Sequence, residues 1–283
     1  MHERFETRLP VSDVFLNVVE QGDGPPIVLL HGFPEFSFSW NSIINTLSSS
    51  FYVVAPDQRG YGNSDIPTSV QDYQIHHLVD DIVGLIRFID RGKVVLVGHD
   101  WGATVAWVLA QQHPDLLRGL MVLNGPHPAI FARELSQNKT QRDAAGYINH
   151  LLAPGSESLI VAQQFNPLLD LFAQFLETDE LERYRSAYAL SGSLRGMLNW
   201  YQANFQPGPA IKSDWLTDTP VELPTHVVWG MADSQILPSN LEGLEDYATN
   251  LTVTKIEAAG HWLLQEMPDQ VGSILKDWAE DLP

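Results

Sequence analysis

Six short apolar runs, rich in Val, Ile and Leu, recur along the chain at 27–30, 51–55, 94–97, 120–123, 226–229 and 251–256. Most are too short and too continuous for amphipathic helices, and they predict strands buried on both faces of a parallel sheet. Helix-length segments lie between most of them. Over 76–89, Leu78, Ile82, Leu85, Ile86 and Ile89 fall on one stripe, as one buried helix face requires. The segments 101–112 and 271–282 read similarly. Strand alternating with helix predicts an α/β fold, a mostly parallel sheet flanked by helices on both faces.

The alternation breaks from about Pro126 to about Leu216. No strand pattern occurs there, and helical patterns run over 129–136, 140–152, 156–164, 180–190 and 194–204, punctuated by Pro154-Gly155 and Pro207-Gly208-Pro209. The expected organisation is a core domain of 1–125 and 217–283 with an inserted all-helical cap domain of 126–216. Ligands of open α/β folds bind beyond the carboxyl ends of the strands, so a cap there would roof a site and exclude water.

Composition narrows the function. The chain is 44% hydrophobic, with 8 Trp, 12 Phe and 8 Tyr, which suffices for a sizeable core. A formal net charge of −19 repels phosphate backbones and anionic lipid surfaces, so no nucleic acid and no membrane is expected as a partner. The absence of cysteine removes disulfides, Cys nucleophiles, Fe–S clusters and Cys-ligated zinc. The N-terminal stretch lacks a secretory apolar region, and no run approaches the ~18 residues of a membrane span. A cytoplasmic setting is expected, as monomer or homodimer. His76, His77, Asp80 and Asp81 have metal-capable groups at helical spacing but no further ligands in view, so they read as a solvated helix face, and no metal or cofactor is expected.

The chemistry gathers at the strand ends. The run 94–97 leads into Gly98-His99-Asp100-Trp101-Gly102 and then a helix, the strand–turn–helix context of a nucleophile elbow, here presenting a carboxylate. His261 follows the run 251–256, and Asp233 follows the run 226–229. The order nucleophile, acid, histidine is that of α/β-hydrolases. His31-Gly32-Phe33-Pro34 follows the first run, where the Phe33 amide is placed as one oxyanion donor and the Trp101 amide as the second. The Phe33–Pro34 bond is a candidate for cis geometry. His99 reads as structural, Asp57 and Arg59 as loop anchors, and His127 and Pro128 as hinge residues. Glu35, Trp40, Trp107 and Phe165 stay open between pocket and core, and Glu266 is expected near His261 with no assigned role.

These residues resemble the α/β-hydrolase superfamily, specifically its epoxide hydrolases of the soluble type, with haloalkane dehalogenases as near relatives. The markers are HGFPEF at 31–36 with Trp40, DQRGYGNSD at 57–65, GHDWGA at 98–103 and GHW at 260–262. The resemblance implies Asp100 as nucleophile and His261 with Asp233 completing a triad. It also implies two cap tyrosines. Tyr147 stands seven residues before Pro154-Gly155, and Tyr201 ends the segment Leu198-Asn199-Trp200-Tyr201. Phe33, Pro34, Trp101, Tyr147 and Tyr201 are then the expected substrate-binding residues.

An Asp needs no base to become a nucleophile at neutral pH, and its attack on an epoxide carbon gives an alkyl ester. Two protonated phenols suit the departing alkoxide. The expected substrates are a small apolar epoxide and water, and the product a vicinal diol. A haloalkane or haloacid dehalogenase with the same nucleophile is the alternative, although Phe33 stands where dehalogenases usually carry Asn. A catalytically silent ligand sensor is a further reading, and a serine esterase is disfavoured because no Ser occupies the elbow.

Overall fold

The computed structural model describes residues 3–212, 216–217 and 219–283. Eight strands form one sheet. They are β1 (Arg4–Pro10), β2 (Phe15–Gln21), β3 (Pro26–Leu30), β4 (Tyr52–Asp57), β5 (Val94–His99), β6 (Leu117–Leu123), β9 (Thr225–Gly230) and β10 (Leu251–Ile256), with a small hairpin of β7 (Phe205–Gln206) and β8 (Ala210–Ile211) apart from them. The order across the sheet is β1-β2-β4-β3-β5-β6-β9-β10. From β4 to β10 every pairing is parallel, while β1 and β2 run antiparallel at one edge.

The continuous apolar runs are buried on both faces, as the sequence predicts. Along β3, Ile27 and Leu29 join one core and Val28 and Leu30 the other; along β5, Val95 and Val97 face one way and Val94 and Leu96 the opposite way. This is the period-2 geometry of a strand covered twice. On one face α1 (Asn41–Leu47) packs against α12 (Pro268–Glu280), burying Ile43, Ile44, Leu47, Val271 and Leu275. On the other, α2 (Ile75–Ile89) packs against α3 (Trp101–Gln112). Each such aliphatic side chain contributes about 1.5–3 kcal/mol by leaving water.

Between β6 and β9 lie α4 (Pro128–Gln137), α5 (Lys139–Ala144), α6 (Tyr147–Leu152), α7 (Ser156–Ala162), α8 (Asn166–Leu169), α9 (Thr178–Tyr188) and α10 (Ser193–Asn204); α11 (Leu263–Glu266) follows β10. The expected single helix over 140–152 is broken at Ala145 and Gly146, where the chain turns between α5 and α6. The C-terminal helix starts three residues earlier than the periodicity suggests, on Pro268 at its first position, where the missing N–H costs nothing. The stretch through which the insertion is expected to rejoin the core includes 213–215 and 218, which lie outside the described residues.

The helical segment is fastened to the core along α10. Trp200 Nε1 donates to the Arg59 carbonyl at 2.8 Å, and Asn204 joins the Ile75 amide and Tyr73 carbonyl at 3.0 and 2.8 Å. The Tyr188 hydroxyl donates to the Pro34 carbonyl at 2.9 Å. Arg59 is wholly buried and is held by Asp81 at 2.7 and 2.8 Å and by Asp13 at 2.5 Å. Asp81 is thus buried structure, a correction to its reading as part of a solvated face, since it neutralises a guanidinium that has no water. His76 and Asp80 of the same helix are exposed. Among the described residues no helix is long and apolar enough to cross a membrane.

Candidate active site

Asp100 sits on the turn between β5 and α3 with φ 50° and ψ −117°. A non-glycine residue in this region carries strain that its surroundings must hold. They do so through closely packed glycines. A Cβ on Gly102 would stand 2.3 Å from the Leu30 carbonyl oxygen, and one on Gly32 would stand 2.4 Å from Asp100 Cβ. Only glycine lets the loop after β3 lie against Asp100. The result is a hydrogen bond of 2.8 Å from the Phe33 amide to Asp100 Oδ1. The Phe33–Pro34 bond is cis.

The other carboxylate oxygen, Asp100 Oδ2, lies 3.6 Å from His261 Nε2. His261 Nδ1 is 2.8 Å from Asp233 Oδ2. Asp233 is buried and surrounded by donors. Oδ2 also accepts from Asn124 Nδ2 at 2.6 Å, and Oδ1 accepts from the amides of Gln235 and Ile236 at 2.8 Å each. Burial works to raise its pKa, but the charge of His261 and these hydrogen bonds hold it below the ordinary carboxylate range,. Burial likewise opposes charge on His261, and the two carboxylates, Asp233 foremost, outweigh it and raise His261 to about 10.

A second buried carboxylate braces the site. Glu35 Oε2 is 2.6 Å from His99 Nδ1 and accepts the Gly32 amide at 3.0 Å, while Oε1 accepts from Gln265 Nε2 at 2.9 Å. Its burial is outweighed by His99 and these donors, which hold Glu35 at about 2. His99 Nε2 in turn donates to the carbonyl of His261 at 2.9 Å. Glu266 accepts the amides of Gly260 and Trp262 at 2.7 and 3.0 Å, so it clamps the peptide on either side of His261.

Over Asp100 stand two phenols. Tyr147 begins α6 and Tyr201 lies near the end of α10, with ring centroids 6.4 Å apart. Their rings meet edge-on, and Tyr201 also packs edge-on against Trp101 with centroids 5.3 Å apart. Burial, then the Asp100 charge for Tyr147 and Tyr147 with Asp100 for Tyr201, pushes both above the ordinary tyrosine range, so both stay protonated. Two cavities meet at Asp100, Tyr147 and Tyr201. One, of about 810 Å³, runs along Leu151, Leu159, Ile160, Leu168 and Leu171, with Phe33 and Trp262 beside Asp100. The other, of about 30 Å³, is walled by Trp101, Phe131, Ile148, Phe205 and Ile236.

The structure therefore brings Asp100, His261, Asp233, Tyr147, Tyr201, Phe33 and Trp101 together. Two expectations are not matched among the described residues. The Trp101 amide makes no hydrogen bond to Asp100, because the carboxylate turns toward Phe33 and His261. Pro34 lines neither cavity, its carbonyl being taken by Tyr188. Asp57 and Arg59 do anchor loops but separately, Asp57 through the Ser37 amide at 2.9 Å and Arg59 through Asp81. Asn124 escapes the sequence reading. Its position just past β6, level with the other strand ends, is the signal that could have found it.

This chain matches the family model described as the alpha/beta hydrolase fold over residues 25–268. It is 33% identical to the AB hydrolase superfamily protein YfhM of Bacillus subtilis, covering 95% of this chain and 96% of that protein. It is 32% identical to mouse epoxide hydrolase 4, covering 96% of this chain and 77% of the relative. A crystal structure of Bacillus megaterium epoxide hydrolase in complex with an inhibitor superposes with a TM-score of 0.90 at 30% identity, covering 97% of this chain and all of that one. The chain belongs to the α/β-hydrolase family, within the branch that holds these epoxide hydrolases. It is an enzyme of the α/β-hydrolase type.

Proposed function

We propose that this enzyme adds water to an epoxide through an alkyl ester on Asp100. The observation that carries the reading is the division of labour on one carboxylate. One oxygen accepts the Phe33 amide and the other faces His261, beneath two protonated phenols. Asp100 Oδ2 attacks a ring carbon, the carbon–oxygen bond breaks, and Tyr147 or Tyr201 delivers a proton to the alkoxide. Alkylation abolishes the charge on Asp100, which withdraws part of what raises His261, and the imidazolium gives its proton to the tyrosinate left by ring opening, restoring the phenol and leaving His261 neutral.

Neutral His261, oriented by Asp233, then takes a proton from water as the water oxygen attacks Asp100 Cγ. The negative charge that develops on Oδ1 lies against the Phe33 amide. Collapse breaks the bond from Cγ to the ester oxygen, which takes the second proton of the water from the new carboxyl group and leaves as the diol, while the water oxygen stays in the carboxylate. The proton that His261 takes from water restores its imidazolium, so the carboxylate, imidazolium and phenols of the resting site are all regenerated. No cofactor or metal enters the balance.

The unequal cavities support a substrate with one long apolar arm and little on the other ring carbon, a terminal epoxide. A single turnover in ¹⁸O-labelled water tests the route. The peptide holding Asp100 should gain one heavy oxygen while the first diol stays unlabelled. Label in the diol alone would overturn the ester mechanism.

A further inference from the structure

We propose that Gln141, in α5, is a positioning residue that keeps the Asp233 loop and Tyr147 in one register, so that a single side chain aligns the base that clears the ester with the proton donor for ring opening. The catalytic part of this inference rests on the ester reading above.

Gln141 is fully buried. Its Nε2–H donates to the Gln235 carbonyl at 2.9 Å, and its Oε1 accepts the Leu237 amide and Asn240 Nδ2, both at 2.8 Å. The residues it grips are those that hold the acid. The amides of Gln235 and Ile236 point at Asp233 Oδ1, while the Gln235 carbonyl and the Leu237 amide point at Gln141. The loop is thus drawn between a carboxylate on one side and a carboxamide on the other. On its own chain, the Gln141 carbonyl accepts the Ala145 amide at 2.9 Å, the Ala145 carbonyl accepts the Ile148 amide at 3.0 Å, and Tyr147 lies between them.

A carboxamide suits this place because it offers a donor and a two-lone-pair acceptor in one plane, matching a carbonyl and an amide of neighbouring residues. An apolar side chain of similar size would leave the Gln235 carbonyl and the Leu237 amide buried and unpaired. The loop would turn to satisfy them and carry the amides of Gln235 and Ile236 away from Asp233. A neighbouring tie, from α4 to the turn just beyond this loop, provides a control. Ser239 Oγ donates to Glu134 Oε2 at 2.8 Å without touching residues 233–237.

The test compares Gln141→Leu, Gln141→Asn and Ser239→Ala, each checked for folding by circular dichroism. The His261 titration midpoint is followed by ¹⁵N NMR without substrate, and ring opening and ester hydrolysis are followed in single turnovers of styrene oxide. In Gln141→Leu the midpoint should fall clearly below about 10, and both rates should fall tenfold or more with KM little changed, a loss of about the size expected for small misplacements. Gln141→Asn, one methylene short, should show the same changes in smaller degree, and it serves where the leucine variant is unstable. Ser239→Ala should lower the melting temperature with the midpoint unmoved. The proposal is overturned by Gln141 variants with the parental midpoint and rates within about twofold of the parent. It is equally overturned if Ser239→Ala moves the midpoint as far as they do. A shifted midpoint in a protein that forms no ester would defeat the ester reading and leave the positioning of Asp233 standing.

Discussion

His261 Nε2 stands 3.6 Å from Asp100 Oδ2, too far for a good hydrogen bond and close enough for strong attraction between charges,. With Asp233 at 2.8 Å on the opposite ring nitrogen, the imidazole is held between two anions. The free protein should show a His261 titration midpoint near 10. Asp100→Asn, which imitates the uncharged ester, should lower it, and Asp233→Asn should lower it further because Asp233 is the leading favourable charge. For stability, a histidine raised from 6.5 to about 10 contributes fully below about pH 6.5, and that contribution is lost as pH rises through about 10,. An unchanged ¹⁵N midpoint in Asp233→Asn would refute this account of the site.

In the proposed ester route the two phenols share one task, so their removal should not be additive. Tyr147→Phe and Tyr201→Phe should each slow ring opening, and the double change should slow it by about 10³-fold, within the range of general acid catalysis. Hydrolysis of ester already formed should change much less. Rapid-quench measurement of the two steps separates these outcomes.

Arg59 has no exposed side-chain surface and depends on Asp81 and Asp13. Asp81→Ala should cost about 3–5 kcal/mol, because it strips a buried guanidinium of its principal partner. Urea unfolding measures this directly. Since the Arg59 carbonyl accepts from Trp200 of α10, the same variant should also loosen the contact between the helical segment and the core, seen as faster hydrogen exchange at the Trp200 indole.

The large and small cavities on either side of Asp100 should separate substrates by shape. A terminal epoxide with one long alkyl arm should exceed, by tenfold or more in kcat/KM, an internal epoxide carrying the same carbons equally divided, because each misplaced methylene costs about 1–3 kcal/mol. Equal values for the pair would show that the small pocket sets no limit.

The parallel strands and the gathering of Asp100, Asp233 and His261 beyond strand ends were legible because both rest on local pattern. Buried strands such as β3 and β5 are continuous apolar runs, and the chemistry stands directly at their ends. The edge hairpin was not legible. Along β1 only Leu9 is buried and Phe5 is exposed, so no apolar face marks the strand. The split between α5 and α6 falls at Ala145 and Gly146 inside an otherwise helical pattern. Gln141 and Asn124 look like ordinary polar residues in sequence, since their partners lie some hundred positions away. Glu266 was foreseen near His261, but its two amide contacts depend on how the chain curls after β10.

Leu30 of β3 pairs in register with Gly98 of β5. Phe33 and Asp100 each follow those partners by only a few residues, so the spacing between the Phe33 amide and the Asp100 carboxylate is inherited from a backbone ladder. The Tyr188 and Glu35 side chains brace the loop that carries Phe33, while the ladder sets its register against Asp100. A roof that keeps Tyr188 can therefore be rebuilt for new molecular shapes while the tool beneath it keeps its edge.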